Sequence, residues 1–221
     1  MRQHPLVTGE VYHIYNKSIA GFTIFNNNHE FQRILTAVRY YTINKHSSCL
    51  ARFLELNEED VGHINALLTD YLSEKPKLVD IAAYCLMPTH IHLILKQLKE
   101  NGISRFMSNV LNSYTRYFNL KHKRKGPLWE GRFKSKFVET QEQLLHLSRY
   151  IHLNPVTAFL IDKPESWQYS SYREYLCFEE VLRICNYNEL IDIPPADYKK
   201  FAEDGVSYQR ELAKIKNLIM E

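Results

Sequence analysis

The chain has few of the residues that would take it out of the ordinary globular class. It holds only 4 cysteines in 221 residues, and Cys49, Cys85, Cys177 and Cys185 form no CxxC pair, so reduced, scattered thiols are expected rather than a disulfide scaffold. Glycine (7) and proline (8) are too scarce for a fibrous or low-complexity chain. Apolar runs are short: Leu93, Ile94 and Leu95 lie between His92 and Lys96, far from the roughly 20 residues needed to cross a bilayer. The N-terminus lacks the apolar core and small-residue cleavage site of a secretory signal, so the expected address is cytoplasmic. Also missing are GxxxxGK[ST], GxGxxG, HExxH and GxSxG, which removes the common nucleotide, zinc-protease and serine-hydrolase templates.

Aromatic residues are abundant, with 15 Tyr and 11 Phe, and a hydrophobic content of 45% is ample for a packed core. The net charge of +3 says little until it is located. Ten Lys or Arg fall between Arg105 and Arg149 against three Glu, so this stretch is strongly cationic and the remainder of the chain is acidic. Clustered cations of this kind bind polyanions by displacing counterions, although a solvated basic face has the same composition.

Val11 to Tyr15 reads as a strand, and Asn28 is placed to cap a helix through Phe31, Ile34, Leu35, Val38 and Tyr41. A second helix is expected from near Asn57 to before Lys75. Val79 to Met87 and His90 to Lys96, joined by Pro88 and Thr89, predict an antiparallel hairpin. Helical spacing returns from Ser104 to Leu120, Phe133 to Val138 alternates as a strand, and Gln141 to Asn154 forms a helix that Pro155 should end. From about Asp162 the chain reads as irregular before a helical C-terminus. The fold class is therefore α+β, a central antiparallel sheet with helices packed on it and a helical C-terminal tail.

Three constellations could carry chemistry. On a strand, His90 and His92 point to one face roughly 6.6 Å apart, where they can converge on a metal or simply be two surface histidines. Tyr150 and Asn154, at i and i+4 on a helix, share a face, and Pro155 biases Asn154 out of the helical basin; Tyr150 alone would read as one more core aromatic. Gly126 to Ser135 interleaves rings with cations, as a single-stranded nucleic-acid site does, yet Trp129 and Phe133 could equally plug the core edge. The spacing of Tyr114 and Tyr117 follows the apolar stripe of their helix, which makes core packing their simpler role.

Five segments, in this order, resemble the IS200-like, single-tyrosine HUH transposases, most closely the REP-associated tyrosine transposase branch. They are Tyr12 to Lys17 (YHIYNK), Tyr84 to Leu93 (YCLMPTHIHL), Tyr114 to Asn119 (YTRYFN), Gly126 to Ser135 (GPLWEGRFKS) and Tyr150 to Val156 (YIHLNPV), and Trp167 to Tyr172 looks like the closing segment. One departure is Thr89, where the family usually carries Asn. The resemblance spans about Gly9 to Leu176, which sets residues 1–176 as the transposase domain, with a ferredoxin-like or RRM-like palm, and 177–221 as a C-terminal extension of unassigned role.

The same resemblance implies that His90, His92 and Asn154 hold a divalent metal, Mg²⁺ or Mn²⁺, and that Tyr150 is the nucleophile. The product would be a 5′-phosphotyrosine and a free 3′-OH on single-stranded or hairpin DNA. Such chemistry suits a phenol, which is a weak nucleophile at neutral pH and needs a phosphate whose charge is neutralised. Arg116, Lys121, Lys123, Arg124, Lys125, Trp129, Arg132, Lys134 and Lys136 are the candidate nucleic-acid contacts. A homodimer is compatible with this reading, and the sequence leaves open whether Tyr150 meets the histidines of its own chain or of a partner. Two alternatives remain at this point: a domesticated regulator that binds DNA or RNA without cleaving, and a phosphodiesterase that uses water in place of Tyr150.

Overall fold

The computed structural model describes residues 5–44, 46, 48–55, 61–73, 75–178 and 183–211. Its centre is a four-stranded antiparallel sheet of β1 (Val11–Lys17), β2 (Val79–Met87), β3 (His90–Gln97) and β4 (Lys134–Phe137), in the order β2-β3-β1-β4. With α1 (Asn28–Tyr40) between β1 and β2 and α4 (Gly102–Lys121) between β3 and β4, this is the ferredoxin-like arrangement expected. The hairpin is where the sequence put it. Its turn is pinned from outside: Ile24 and Phe25 donate to the Pro88 carbonyl, and Ser18 donates to that of Thr89.

Strand alternation divides the sheet into two unlike faces. Ile91, Leu93 and Leu95 of β3, with Ile14 of β1, join Phe31, Ile34 and Val38 of α1 and Phe106, Val110 and Tyr114 of α4 in the main core. The opposite face is covered by α5 (Gln141–Thr157), which packs Leu144 and Ile151 against Ala83, Cys85, Met87 and Ile94. Two short helices of the C-terminal part, α6 (Tyr172–Tyr175) and α7 (Pro195–Glu203), close this second core with Tyr172, Tyr175, Tyr198 and Ala202. The Tyr198 hydroxyl lies 2.9 Å from Ser148 Oγ and 2.6 Å from His152 Nδ1, so the tail grips α5 from behind.

Several elements depart from the sequence-based expectation. The cap of α1 is Asn27, whose extended backbone lets its side chain accept from the Glu30 amide, one residue earlier than Asn28. Between α1 and β2 the chain forms α2 (Leu50–Glu55), too short to show a periodic stripe, and α3 (Val61–Ser73); the expected start near Asn57 lies outside the described residues. Pro155 does not end α5, which runs two residues further. A proline this close to a helix end removes only one internal bond, and the Asn154 and Pro155 carbonyls still accept from Ala158 and Leu160. Asn154 is therefore helical, and any reach of its side chain comes from its place on the helix rather than from release of the backbone.

Candidate active site

His90 and His92 stand on the sheet face that α5 covers, with ring centroids 5.1 Å apart and planes nearly perpendicular. The face follows from β3 itself, because Ile91 and Leu93 between and beyond them turn into the main core. Both rings have their Nδ1 engaged: Thr89 Oγ1 lies 3.0 Å from that of His90, and His13 Nε2 lies 2.9 Å from that of His92. The Thr89 departure from the family pattern thus leaves a side chain that meets His90. Burial, reinforced by Lys17, lowers His90 to a pKa of about 4. Burial also lowers His92 to about 2, helped by His13, His90 and Lys17. Both imidazoles are neutral at physiological pH and carry lone pairs.

The Tyr150 ring on α5 meets His92 edge-on, with centroids 5.9 Å apart in the same chain. At 43% exposure its phenol is reachable from solvent. Burial of the remainder, then Tyr15 and Cys85, raises its pKa above the ordinary tyrosine value, so the hydroxyl is protonated at rest. One turn on, the Asn154 amide nitrogen is buried without a hydrogen-bond partner. An unpaired buried amide N–H is costly. Among the described residues no three His, Cys, Asp or Glu side chains cluster to hold an ion. Tyr114, by contrast, is buried in the main core and donates to the Ile24 carbonyl.

The candidate nucleic-acid residues fall into two groups. Lys134 and Lys136 stand opposite Tyr15 and His13 on β1, at the open edge of the sheet face that carries the histidines. With Arg132 and Trp129 they line a groove of about 1020 Å³ that runs past Tyr15 to Ser108 of α4. Trp129 sits at the groove floor, buried, with its Nε1–H donated to Thr115. The second group lies at the end of α4. Lys121 makes a 3.0 Å ion pair with buried Glu30, and Arg124 donates to the Asn119 side chain and the Pro127 carbonyl, so both are engaged within the fold. Lys123, Lys125 and Arg116 are exposed.

His13 and Tyr15 belong to this site although sequence reasoning passed over them. Their rings lie 5.0 Å apart, and each packs against His92, at 5.2 and 6.0 Å. No local spacing signals this, since β1 and β3 are 79 residues apart; only pairing of the two strands, which sets Tyr15 opposite His92, would reveal it.

The profile of a family described as IS200-like transposases matches residues 51–154, a range that includes His90, His92, Tyr150 and Asn154. That stretch of the chain is thus similar to the IS200-like transposases. A Haemophilus influenzae protein named for the REP-associated tyrosine transposases is 27% identical to it over 125 residues, 48% of this chain and 70% of the relative. The solved structure of a REP-associated tyrosine transposase bound to a REP hairpin superimposes with a TM-score of 0.52 at 13% identity, over 87% of this chain and 94% of that one. The likeness in fold extends beyond residues 51–154, and no described helix is long and apolar enough to cross a membrane.

Proposed function

We propose that the protein is an HUH-type transposase that nicks and rejoins single-stranded DNA through a 5′-phosphotyrosine, at hairpin-bearing sites. What carries the reading is the meeting, within one chain, of an exposed phenol with two neutral histidines on one sheet face. The name of the solved relative, bound to a REP hairpin, supports the DNA class.

The donor set fits a divalent cation such as Mg²⁺ or Mn²⁺. His90 and His92 offer the ring nitrogens left open by Thr89 and His13, and Asn154, one turn beyond Tyr150, would offer its amide oxygen. When bound, such an ion neutralises phosphate charge and polarises its oxygens. Tyr150 Oη attacks phosphorus, the bond to the 3′-oxygen breaks, and that oxygen leaves as a hydroxyl. The phenol loses one proton and the leaving oxygen gains one, so the step balances. Rejoining is the reverse attack by a 3′-OH, and the retained phosphotyrosine ester makes a nucleotide cofactor unnecessary. Lys134 and Lys136 line the groove at the sheet edge that would take the backbone of a strand. In this reading residues 1–176 carry the chemistry, and the extension from 177 supports α5 through Tyr198.

The test is a denaturing gel for a covalent protein–DNA adduct on single-stranded hairpin DNA with Mn²⁺. An adduct that disappears in Tyr150→Phe supports the reading. Hairpin binding with no adduct under any divalent metal would replace it with a non-cleaving DNA-binding role.

A further inference from the structure

The contact between His13 and His92 has only two protonation patterns when both rings are neutral. Either His92 Nδ1–H donates to His13 Nε2, or His13 Nε2–H donates to His92 Nδ1. The difference is binary for His92. In the first pattern its Nε2 carries a free lone pair; in the second its Nε2 carries the proton and can ligate nothing.

We infer that His13 is a positioning residue that accepts the Nδ1–H of His92 and so turns the Nε2 lone pair of His92 to the metal. The inference rests on the metal reading above, and three observations give it substance. His13 and His92 are both nearly excluded from solvent, at 8% and 7% exposure, so water cannot stand in for the missing partner. The bond is short at 2.9 Å, and the rings are stacked with planes 19° apart, which fixes orientation as well as distance. Tyr15 stands beside both rings, with centroids 5.0 Å from His13 and 6.0 Å from His92, and crowds the space into which either would turn. A histidine that ligates a metal through one nitrogen commonly donates from the other, and removing that acceptor typically costs about 10- to 100-fold in metal affinity.

The experiment uses the full chain without DNA. Long-range ¹H–¹⁵N spectra of the histidine rings in metal-free protein should show His92 protonated at Nδ1 and bare at Nε2; a proton on His92 Nε2 overturns the inference. Mn²⁺ titration calorimetry then compares His13→Gln, whose amide oxygen can accept the same bond, with His13→Leu, which cannot. We expect His13→Leu to bind Mn²⁺ about 10- to 100-fold more weakly and His13→Gln to stay within a few-fold of wild type. Equal losses in both variants, or none in His13→Leu, would reduce His13 to packing and overturn the inference. His90→Ala and His92→Ala separate this from the reading beneath it. If they bind Mn²⁺ as wild type does, the metal site itself is wrong; if they lose binding while His13→Leu does not, only the positioning role falls.

Discussion

The two faces of the sheet are built to opposite specifications from one alternating strand. On the α1 and α4 side, β3 contributes Ile91, Leu93 and Leu95 to a closed apolar core, and Tyr114, buried there, spends its hydroxyl on a backbone carbonyl. On the α5 side the same strand contributes His90 and His92, and the tyrosine above them, Tyr150, keeps its hydroxyl within reach of solvent. The contrast teaches that the two tyrosines weighed for the nucleophile differ in what surrounds their hydroxyls. Tyr114 has a partner and no access; Tyr150 has access and no assigned partner.

The sharpest way to break the comparison is to remove each hydroxyl in turn. Tyr150→Phe should abolish the covalent DNA adduct completely while leaving folding and hairpin binding near wild type, whereas Tyr114→Phe should retain adduct formation and lose about 1 kcal/mol of stability with its hydrogen bond. Persistence of adduct in Tyr150→Phe, with loss in Tyr114→Phe, would exchange the roles. Next in size is the closed face itself. Leu93→Ala should cost about 2–5 kcal/mol in chemical denaturation, as a fully buried leucine truncation does. His92→Ala, one residue away, should cost far less stability and nearly all cleavage.

Acid separates the faces by window. On the α5 side, burial holds His13 and His90 near 4, His92 near 2 and His152 near 3, all below the ordinary histidine value. The unfolded chain therefore binds protons that the folded chain refuses, and stability falls as pH drops below about 6.5, by about 1.4 kcal/mol per pH unit for each such histidine. His152→Asn should make the fall between pH 6 and 4 shallower by about one such increment. On the other side, burial alone would raise the Glu30 pKa, but hydrogen bonds from Asn26, Lys121 and His122 overcome it and lower it to about 2. Its contribution is intact above about pH 4.5 and is lost only as pH falls towards 2. Glu30→Gln should leave the histidine window unchanged and alter the slope below it. Urea titrations at stepped pH read both. The smallest effect concerns the lysines. Lys134 and Lys136 replaced together by Ala should reduce the salt dependence of single-stranded DNA binding by about 0.7 for each phosphate no longer neutralised, and replacing Lys123 and Lys125 should reduce it less. Equal slopes for the two pairs would show that the groove is not the strand's path.

Much of this was legible because it is local. The facing of His90 and His92, the hairpin between β2 and β3, and the shared helix of Tyr150 and Asn154 all follow from two- and four-residue periodicities. What escaped was set by partners far along the chain. Lys121 reads as a free cation in the basic run until Glu30, on the other core helix, is brought to 3.0 Å. His13 reads as one residue of an aromatic strand until β3 pairs with it. Pro155 shows the limit of a local rule, since packing of Ile151 and Val156 on either side keeps the last turn helical despite the missing donor.

The shortness of β4 has a consequence for how this molecule behaves among its own copies. Four residues long and paired on one side to β1, it is the outer rim of the sheet and leaves backbone donors and acceptors on its far side for any extended chain that drifts past. Two of its four side chains are lysines, and their mutual repulsion between approaching molecules discourages one sheet from continuing into the next. The charge that would draw a polyanion to this rim is thus also what keeps the protein dispersed when none is present, and a variant stripped of both lysines is expected to precipitate at concentrations the parent chain tolerates.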